Sequence, residues 1–170
     1  MKKYALLFTI LVCLLPADRV VSADSLPVIG GVETLVLVKE KLRIPARIDT
    51  GAQTSSLSAV GIQPYERDGR KWLRFQVKNQ ETGRLVEMKR PLIRMAKIKR
   101  HGQIAAERPV VRLLVAIGPI RTKCEFTLVD RSDYKYPALV GRNFLSGRAM
   151  VDVSREFVMH PASMGESNGN

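Results

Sequence analysis

Apolar and polar residues alternate along most of this chain with the two-residue period that is typical of half-buried β-strands. The clearest case is "KWLRFQVKN" at residues 71–79, where Leu73, Phe75 and Val77 alternate with polar or aromatic neighbours. No long segment keeps the 3.6-residue period of an amphipathic helix. The pattern therefore predicts an all-β domain, which we interpret as a small closed barrel.

Turn signals separate the predicted strands. "NQETG" at residues 79–83 predicts one hairpin turn, and Gly118 followed by Pro119 predicts a second. The segment "GRNFLSGR" at residues 141–148 favours one short helix near the C-terminus, and a glycine ends it. The last residues, 161–170, are rich in Gly, Ser and Asn and are predicted to be a disordered tail.

The N-terminal residues 1–23 have the order of a secretory signal peptide. Lys2 and Lys3 precede an apolar run, and "VSA" at residues 21–23 offers small residues for cleavage. We therefore expect a periplasmic or secreted protein with no stable membrane span after cleavage, and one domain over residues 24–160.

Positive charge dominates the composition, with 28 Lys and Arg against 16 Asp and Glu and a net charge of +12. The cations are scattered along predicted strand faces and no series of aromatic residues accompanies them, so we expect no nucleic-acid partner. A soluble basic module that binds acidic polymers stays open as one interpretation. Only Cys124 survives signal cleavage, which excludes an intrachain disulfide and favours a packed thiol.

Most catalytic constellations are missing from the sequence. His101 and His160 are the only histidines, too few and too isolated for a zinc site, and no G-x-x-x-x-G-K-[ST] loop is present for a nucleotide phosphate. No serine lies in a G-x-S-x-G motif. The sequence predicts neither a metal nor another cofactor.

One stretch does carry chemistry, "IPARIDTGAQTSSL" at residues 44–57. Asp49 ends an apolar strand-like run, and Thr50 and Gly51 follow it. Two carboxylates that share one proton activate water between them, and they need rigid strand ends, a hydroxyl brace and a glycine turn. Asp49 is therefore the candidate catalytic carboxylate.

A second motif, "YPALVGRNFL" at residues 136–145, supports this interpretation. In retroviral-type aspartic peptidases, an apolar-apolar-Gly segment packs beneath the Asp-Thr-Gly loop and leads into a short helix carrying Arg-Asn. The present chain resembles them in the order of both motifs. More closely, residues 27–158 resemble a bacterial family of retropepsin-like aspartic endopeptidases, earlier catalogued as ATP-dependent zinc proteases.

The resemblance implies a retropepsin-like barrel in which Asp49 is catalytic. The residues that it assigns to support of the site are Thr50, Gly51, Ala52, Leu139, Val140 and Gly141. It assigns Arg142 and Asn143 to bracing of the loop or of a dimer. Because the chain has a single Asp-Thr-Gly, two copies are needed for two carboxylates, and we expect a homodimer.

The sequence departs from the viral pattern after the Asp-Thr-Gly-Ala motif. Gln53 and Thr54 stand where the viral relatives have two acidic residues, so the usual carboxylate partner of Arg142 is absent. Residues 79–88 offer a candidate for the hairpin that closes over substrate. We expect a peptide or protein substrate in the cell envelope, and the alternative is a non-catalytic peptide- or protein-binding module on the same fold.

Overall fold

The computed structural model describes residues 25–100 and 103–160, which form eleven strands and one short helix. The elements are β1 Val28–Leu37, β2 Leu42–Ile48, β3 Ser55–Ser58, β4 Val60–Arg67, β5 Arg70–Lys78, β6 Leu85–Pro91, β7 Arg94–Arg100, β8 Gln103–Ile117, β9 Ile120–Val129, β10 Ala138–Val140, α1 Arg142–Leu145 and β11 Met150–Glu156. The predicted all-β class and the short helix near the C-terminus are confirmed. The expected signal peptide and tail lie outside the described residues.

Six strands close into a barrel in the order β1, β2, β10, β3, β9 and β8. Closure comes from β8, which pairs back onto β1 through Val36 with Ala116 and Leu37 with Val115. The remaining two strands of this sheet lie outside the ring: β7 pairs with β8, and β11 runs parallel to β1. The predicted closed barrel is confirmed. In the part of the chain that the structure describes, no helix is long and apolar enough to cross a membrane.

The barrel core follows from the alternation along the strands. In β2, Leu42, Ile44, Ala46 and Ile48 are buried while Arg43 and Arg47 are exposed, as the two-residue period requires. The largest fully buried side chains come from several strands and from α1, among them Phe75, Phe126 and Phe144. One continuous apolar core therefore holds the barrel and the helix together.

A second sheet, of order β4-β5-β6, packs one face on this core. Its inward residues Leu73, Phe75 and Val77 are the apolar members of the alternating stretch in the sequence. The turn between β5 and β6 is held by Asn79, whose Oδ1 accepts hydrogen bonds from the backbone N–H groups of Glu81 (2.9 Å) and Thr82 (3.1 Å). Both predicted hairpins, this one and the one at Gly118, are confirmed.

A buried carboxylate fixes the C-terminal segment. Glu33 on β1 is fully buried, and its Oε1 accepts hydrogen bonds from the backbone N–H groups of Gly30 (2.7 Å) and Val158 (3.1 Å). Its Oε2 accepts one from Met159 (3.2 Å). The chain that follows β11 is thereby held against β1.

Candidate active site

Asp49 stands where β2 ends, and its own backbone and side chain are both fixed. Its N–H donates to the carbonyl oxygen of Val140 on β10 (2.9 Å). Its carboxylate Oδ1 accepts hydrogen bonds from the N–H groups of Gly51 (2.9 Å) and Ala52 (3.1 Å). Oδ2 accepts none from the described residues. One oxygen therefore orients the carboxylate, and the other is left for a ligand.

Strand β10 lies between the two strands that flank the Asp49 loop. It is parallel to β2, with Val140 opposite Ile48, and antiparallel to β3, with Leu139 opposite Ser56. Neither neighbour is close in sequence, so this short apolar strand ties the two sides of the loop together. The following glycine is close to that loop as well.

Gly141 sits where no side chain fits. A Cβ added there would lie 2.7 Å from the carbonyl oxygen of Ala52, which is backbone and cannot swing away. The same oxygen accepts a hydrogen bond from the N–H of Arg142 (2.8 Å). The α1 segment and the Asp49 loop are thus in direct backbone contact.

The guanidinium of Arg142 has three oxygen acceptors in the loop, although the viral carboxylate is absent. Nη1 donates to the carbonyl oxygens of Thr50 (3.0 Å) and Gly51 (2.7 Å), and Nη2 donates to Oε1 of Gln53 (2.9 Å). Gln53 therefore takes the place of a carboxylate with a neutral amide oxygen. Thr50 contributes its carbonyl, and its hydroxyl makes no hydrogen bond within the described residues.

Ser55 and Asn143 form a second set of contacts below the loop. Asn143 Oδ1 accepts from the N–H (3.0 Å) and from Oγ (2.8 Å) of Ser55, and its Nδ2 donates to the carbonyl of Glu125 (2.8 Å). Ser55 Oγ also accepts from the N–H of Gly141 (3.0 Å). Sequence reasoning missed Ser55. The run of hydroxyl residues directly after the Asp-Thr-Gly loop was the available signal.

A cleft runs beside this loop on the outward face of the barrel. Leu139 pairs with Arg47 on one side and Ser56 on the other, and Ser56 pairs with Thr127. Side chains at paired positions project to the same face, and alternation along β2 would place Asp49, directly after the last strand residue Ile48, on the face of Arg47. Two adjoining cavities of about 390 Å³ and about 440 Å³ lie over this row, and Arg108, Arg131 and Leu139 line both.

The two cavities are lined by cations. Among the described residues, their linings contain no carboxylate and six basic side chains, namely Arg47, Arg94, Lys97, Arg108, Arg131 and Lys135. Within the described residues, Arg94 is the only one of these six that forms an ion pair, and its partner is Glu125 (3.2 Å). Asp49 itself lines neither cavity, but its loop neighbours 52–54 line one of them. The cleft beside the Asp49 loop is therefore strongly positive.

The hairpin that borders the cleft is β7–β8, through Arg94, Ala96 and Lys97 on β7 and Arg108 on β8. The candidate closing segment from the sequence, residues 79–88, belongs instead to the turn and edge strand of the second sheet. None of those residues lines either cavity.

The remaining candidate groups lie apart from the cleft. Cys124 is buried, its Sγ is 3.9 Å from Ser55 Oγ, and burial raises the pKa of its thiol, so it is a packed side chain. His160 is exposed and His101 lies outside the described residues. Across residues 25–100 and 103–160, no group of three His, Cys, Asp or Glu side chains could hold a metal ion.

The closed barrel, with an aspartate loop braced by a glycine strand and a short Arg-Asn helix, has the retropepsin-like fold of aspartic peptidases. The profile of the RimB-like family, described as retropepsin-like aspartic endopeptidase RimB, matches residues 28–162, and the chain belongs to this family. A crystal structure of a Legionella pneumophila protein of unknown function is 31% identical. It superposes with a TM-score of 0.69, covering 79% of this chain and 98% of that one.

Curated relatives carry a different name. Proteins of Parasynechococcus marenigrum (35% identical over 111 residues) and Shewanella pealeana (30% identical over 118 residues) are each named as a probable alpha-L-glutamate ligase. These matches cover 64% and 68% of this chain but only 24% and 26% of those proteins. The chain thus spans about a quarter of the length of the curated relatives it matches.

Proposed function

We propose that this chain is an exported aspartic endopeptidase that acts as a homodimer, with one water held between two Asp49 carboxylates. The observation that carries the proposal is the state of Asp49. It stands at a rigid strand end, with Oδ1 held by two backbone N–H groups and Oδ2 without a partner in the described chain. Membership of the retropepsin-like family supports the same chemistry.

The proposed reaction uses the two Asp49 groups in opposite protonation states. The ionised one takes a proton from the water, whose oxygen attacks the peptide carbonyl carbon, while the protonated one gives its proton to the carbonyl oxygen. The tetrahedral intermediate then loses the amine, which leaves with the proton taken from the water. One of its two hydroxyls returns a proton to the second Asp49, so that a carboxylic acid remains and the starting protonation states are restored. One chain supplies one Asp-Thr-Gly, so the second carboxylate comes from a second copy across a two-fold axis.

The substrate that we propose is a peptide with acidic side chains. Six cations and no carboxylate from the described residues line the two cavities beside the Asp49 loop, and such a cleft attracts and orients negative charge. The relatives named as probable alpha-L-glutamate ligases support the same chemistry, because that name gives glutamate as the compound they act on.

The ligase activity itself does not extend to this chain in our proposal, because the matched part is only about a quarter of those proteins. The same partial coverage favours the second candidate, a non-catalytic module that binds acidic peptides. In those longer proteins the matched region is one part beside others.

Replacement of Asp49 separates the two candidates. The full chain is expressed with its leader and recovered from a periplasmic fraction, and N-terminal sequencing is expected to give a start near Asp24. Wild type is expected to cleave a library of acidic peptides, and Asp49→Asn is expected to reduce kcat by about 10²- to 10⁴-fold without loss of folding, because the amide cannot take the water's proton.

Asp68→Asn is the matched control, because Asp68 is an exposed carboxylate in the turn between β4 and β5. Equal cleavage by wild type and Asp49→Asn would refute the aspartic mechanism. Binding of acidic peptides without cleavage by any variant would favour the non-catalytic module. An intact Met1 would contradict export.

A further inference from the structure

Arg131 is a buried cation without a carboxylate partner. Its side chain lies in the loop after β9, and the residue is only 8% exposed. Nε donates to the carbonyl oxygen of Tyr136 (3.2 Å), Nη1 donates to Oγ of Ser56 (3.0 Å), and the guanidinium carbon lies 4.3 Å from the ring centre of Tyr134. No ion pair joins it to a carboxylate of the described residues, and a buried charge in that state is costly unless a ligand completes it.

The third nitrogen of this guanidinium, Nη2, is free of hydrogen bonds within the described residues. Every fully buried side-chain nitrogen or oxygen among these residues has a partner. Nη2 therefore keeps accessible surface. Arg131 lines both cavities of the cleft and also a third cavity of about 310 Å³, which Asp130 lines as well, and Arg108 lines only the two cavities of the cleft. The other two nitrogens hold the plane of the guanidinium fixed.

Arg108 faces the same space from β8. It lines both cavities with Arg131 and makes no hydrogen bond or ion pair within the described chain. The pKa of Arg131 is lowered, and burial is the largest cause. The charge of Arg108 lowers this pKa further, while Tyr134 raises it. Arg108 and Arg131 carry like charges at one place in the cleft, and no carboxylate of the described residues pairs with either of them. The space between them therefore favours the binding of an anion from a ligand.

Solubility does not account for this arrangement. A cation that serves solubility stands in water, as Arg84 does in the exposed turn between β5 and β6, whereas Arg131 is buried. The cavity walls beside the two arginines include Leu139, Tyr134 and Tyr136, which suit the carbon chain of a side chain rather than a free inorganic ion.

We propose that Arg131 and Arg108 form a specificity subsite that binds the side-chain carboxylate of a substrate residue next to the cleaved peptide bond. This inference rests on the proposed function. The position follows from the pairing, because Arg131 is bonded to Ser56, Ser56 pairs with Leu139, and Leu139 pairs with Arg47, two residues before Asp49. The subsite is thus within a few residues' length of the catalytic carboxylate.

The test compares two peptides that differ only by Glu or Gln at the position next to the cleaved bond. Wild type is expected to prefer the Glu peptide in kcat/KM by about tenfold to a hundredfold, the range for a charge-assisted hydrogen bond. Arg108→Gln is expected to remove most of that preference through KM on the Glu peptide, with the Gln peptide little changed. Arg131→Lys, which keeps the charge but loses the fork, is expected to lose part of it.

Arg84→Gln is the matched control, since it removes the same charge from the exposed turn and is expected to keep the wild-type preference. An Arg131→Gln protein would lose its hydrogen bonds to Ser56 and Tyr136 and could therefore fail to fold. The test rests on Arg108→Gln for this reason, because Arg108 makes no such bonds within the described chain. Equal losses on both peptides, or a wild type without preference, would overturn the subsite.

Binding separates this inference from the peptidase proposal. With the Asp49→Asn protein, the affinities for the Glu and Gln peptides are measured by titration calorimetry at two salt concentrations. Tighter binding of the Glu peptide that is lost when Arg108→Gln is added to the Asp49→Asn protein would support the subsite. If wild type at the same time cleaves neither peptide, only the peptidase proposal fails. Cleavage by wild type with equal affinities for both peptides leaves the peptidase standing and refutes the subsite.

Discussion

Two acidic side chains of this protein, Asp49 and Glu33, are held by backbone N–H groups, but they have different surroundings. Asp49 offers one oxygen to Gly51 and Ala52 and keeps the other free in the described chain. Glu33 is fully buried, and both of its oxygens are occupied. The first arrangement suits chemistry and the second suits structure, since a saturated buried carboxylate has no oxygen left for a ligand.

Glu33→Gln is therefore expected to destabilise the protein rather than change its chemistry. The amide keeps one acceptor but turns an NH₂ group toward backbone donors, so at least one buried N–H loses its partner. We expect the free energy of unfolding to fall by about 1–3 kcal/mol, measured by urea denaturation. Glu66→Gln on the exposed face of β4 is the control. Equal midpoints for all three proteins would contradict the assigned role of Glu33.

At the level of elements, the candidate site depends on the position of β10 and α1. Strand β10 has only three residues, yet it pairs with β2 and β3, and the helix that follows donates to the loop between them. Gly141 approaches Ala52 so closely in this packing that an added Cβ would lie 2.7 Å from the Ala52 carbonyl oxygen. A shift of β10 would therefore move the loop that carries Asp49.

Gly141→Ala is expected to disturb this packing. The new Cβ would stand 2.7 Å from a backbone oxygen, so strand and loop must separate, and we expect a cost of about 1–3 kcal/mol in stability together with a loss of the proposed activity. Thermal unfolding and peptide cleavage measure the two effects. Gly31→Ala, whose Cβ would meet its nearest atom at 3.4 Å, is the control and is expected to be mild. A fully active Gly141→Ala protein would rule out this role for the contact.

The sequence predicted these elements better than it predicted their partners. Alternation and turn residues are local signals, and they were sufficient for the strand at residues 71–79, both hairpins and the short helix, whereas the separate sheet β4-β5-β6 was not predicted. The pairing of Leu139 with Arg47 is non-local, and side-chain patterns do not encode it. The acceptors of Arg142 were missed for a related reason, because two of the three are backbone carbonyls, which every residue has.

The same limit applies to Arg131. Its loop, "DRSDYKYP" at residues 130–137, has the charged composition of a solvated connection, and the sequence indicated no burial there. The structure folds the guanidinium under Tyr134 and onto Ser56. Buried polar groups in loops depend on tertiary contacts, so composition alone does not show them.

For the whole molecule, the barrel leaves one edge that bears on the proposed dimer. Strand β11 pairs with β1 on one side, and on its other side no described strand pairs with it. Its Val153 is 82% exposed, and Met150 nearby is 50% exposed. An unpaired edge with exposed apolar side chains is a surface on which a second copy can add.

Mixing wild-type and Asp49→Asn chains tests this two-copy site directly. If both carboxylates act in one site, a mixed dimer is inactive, and an equal mixture that has exchanged fully contains only about a quarter of fully wild-type dimers. Activity per wild-type chain is then expected to fall to about half of its unmixed value, whereas independent single-chain sites would leave it unchanged. The Asp68→Asn chain, mixed in the same proportion, controls for dilution and crowding of the assay. Sedimentation at the same concentrations shows whether the chains associate. Unchanged activity in a fully associated mixture would contradict the shared site. Activity in a strictly monomeric sample would contradict the dimer.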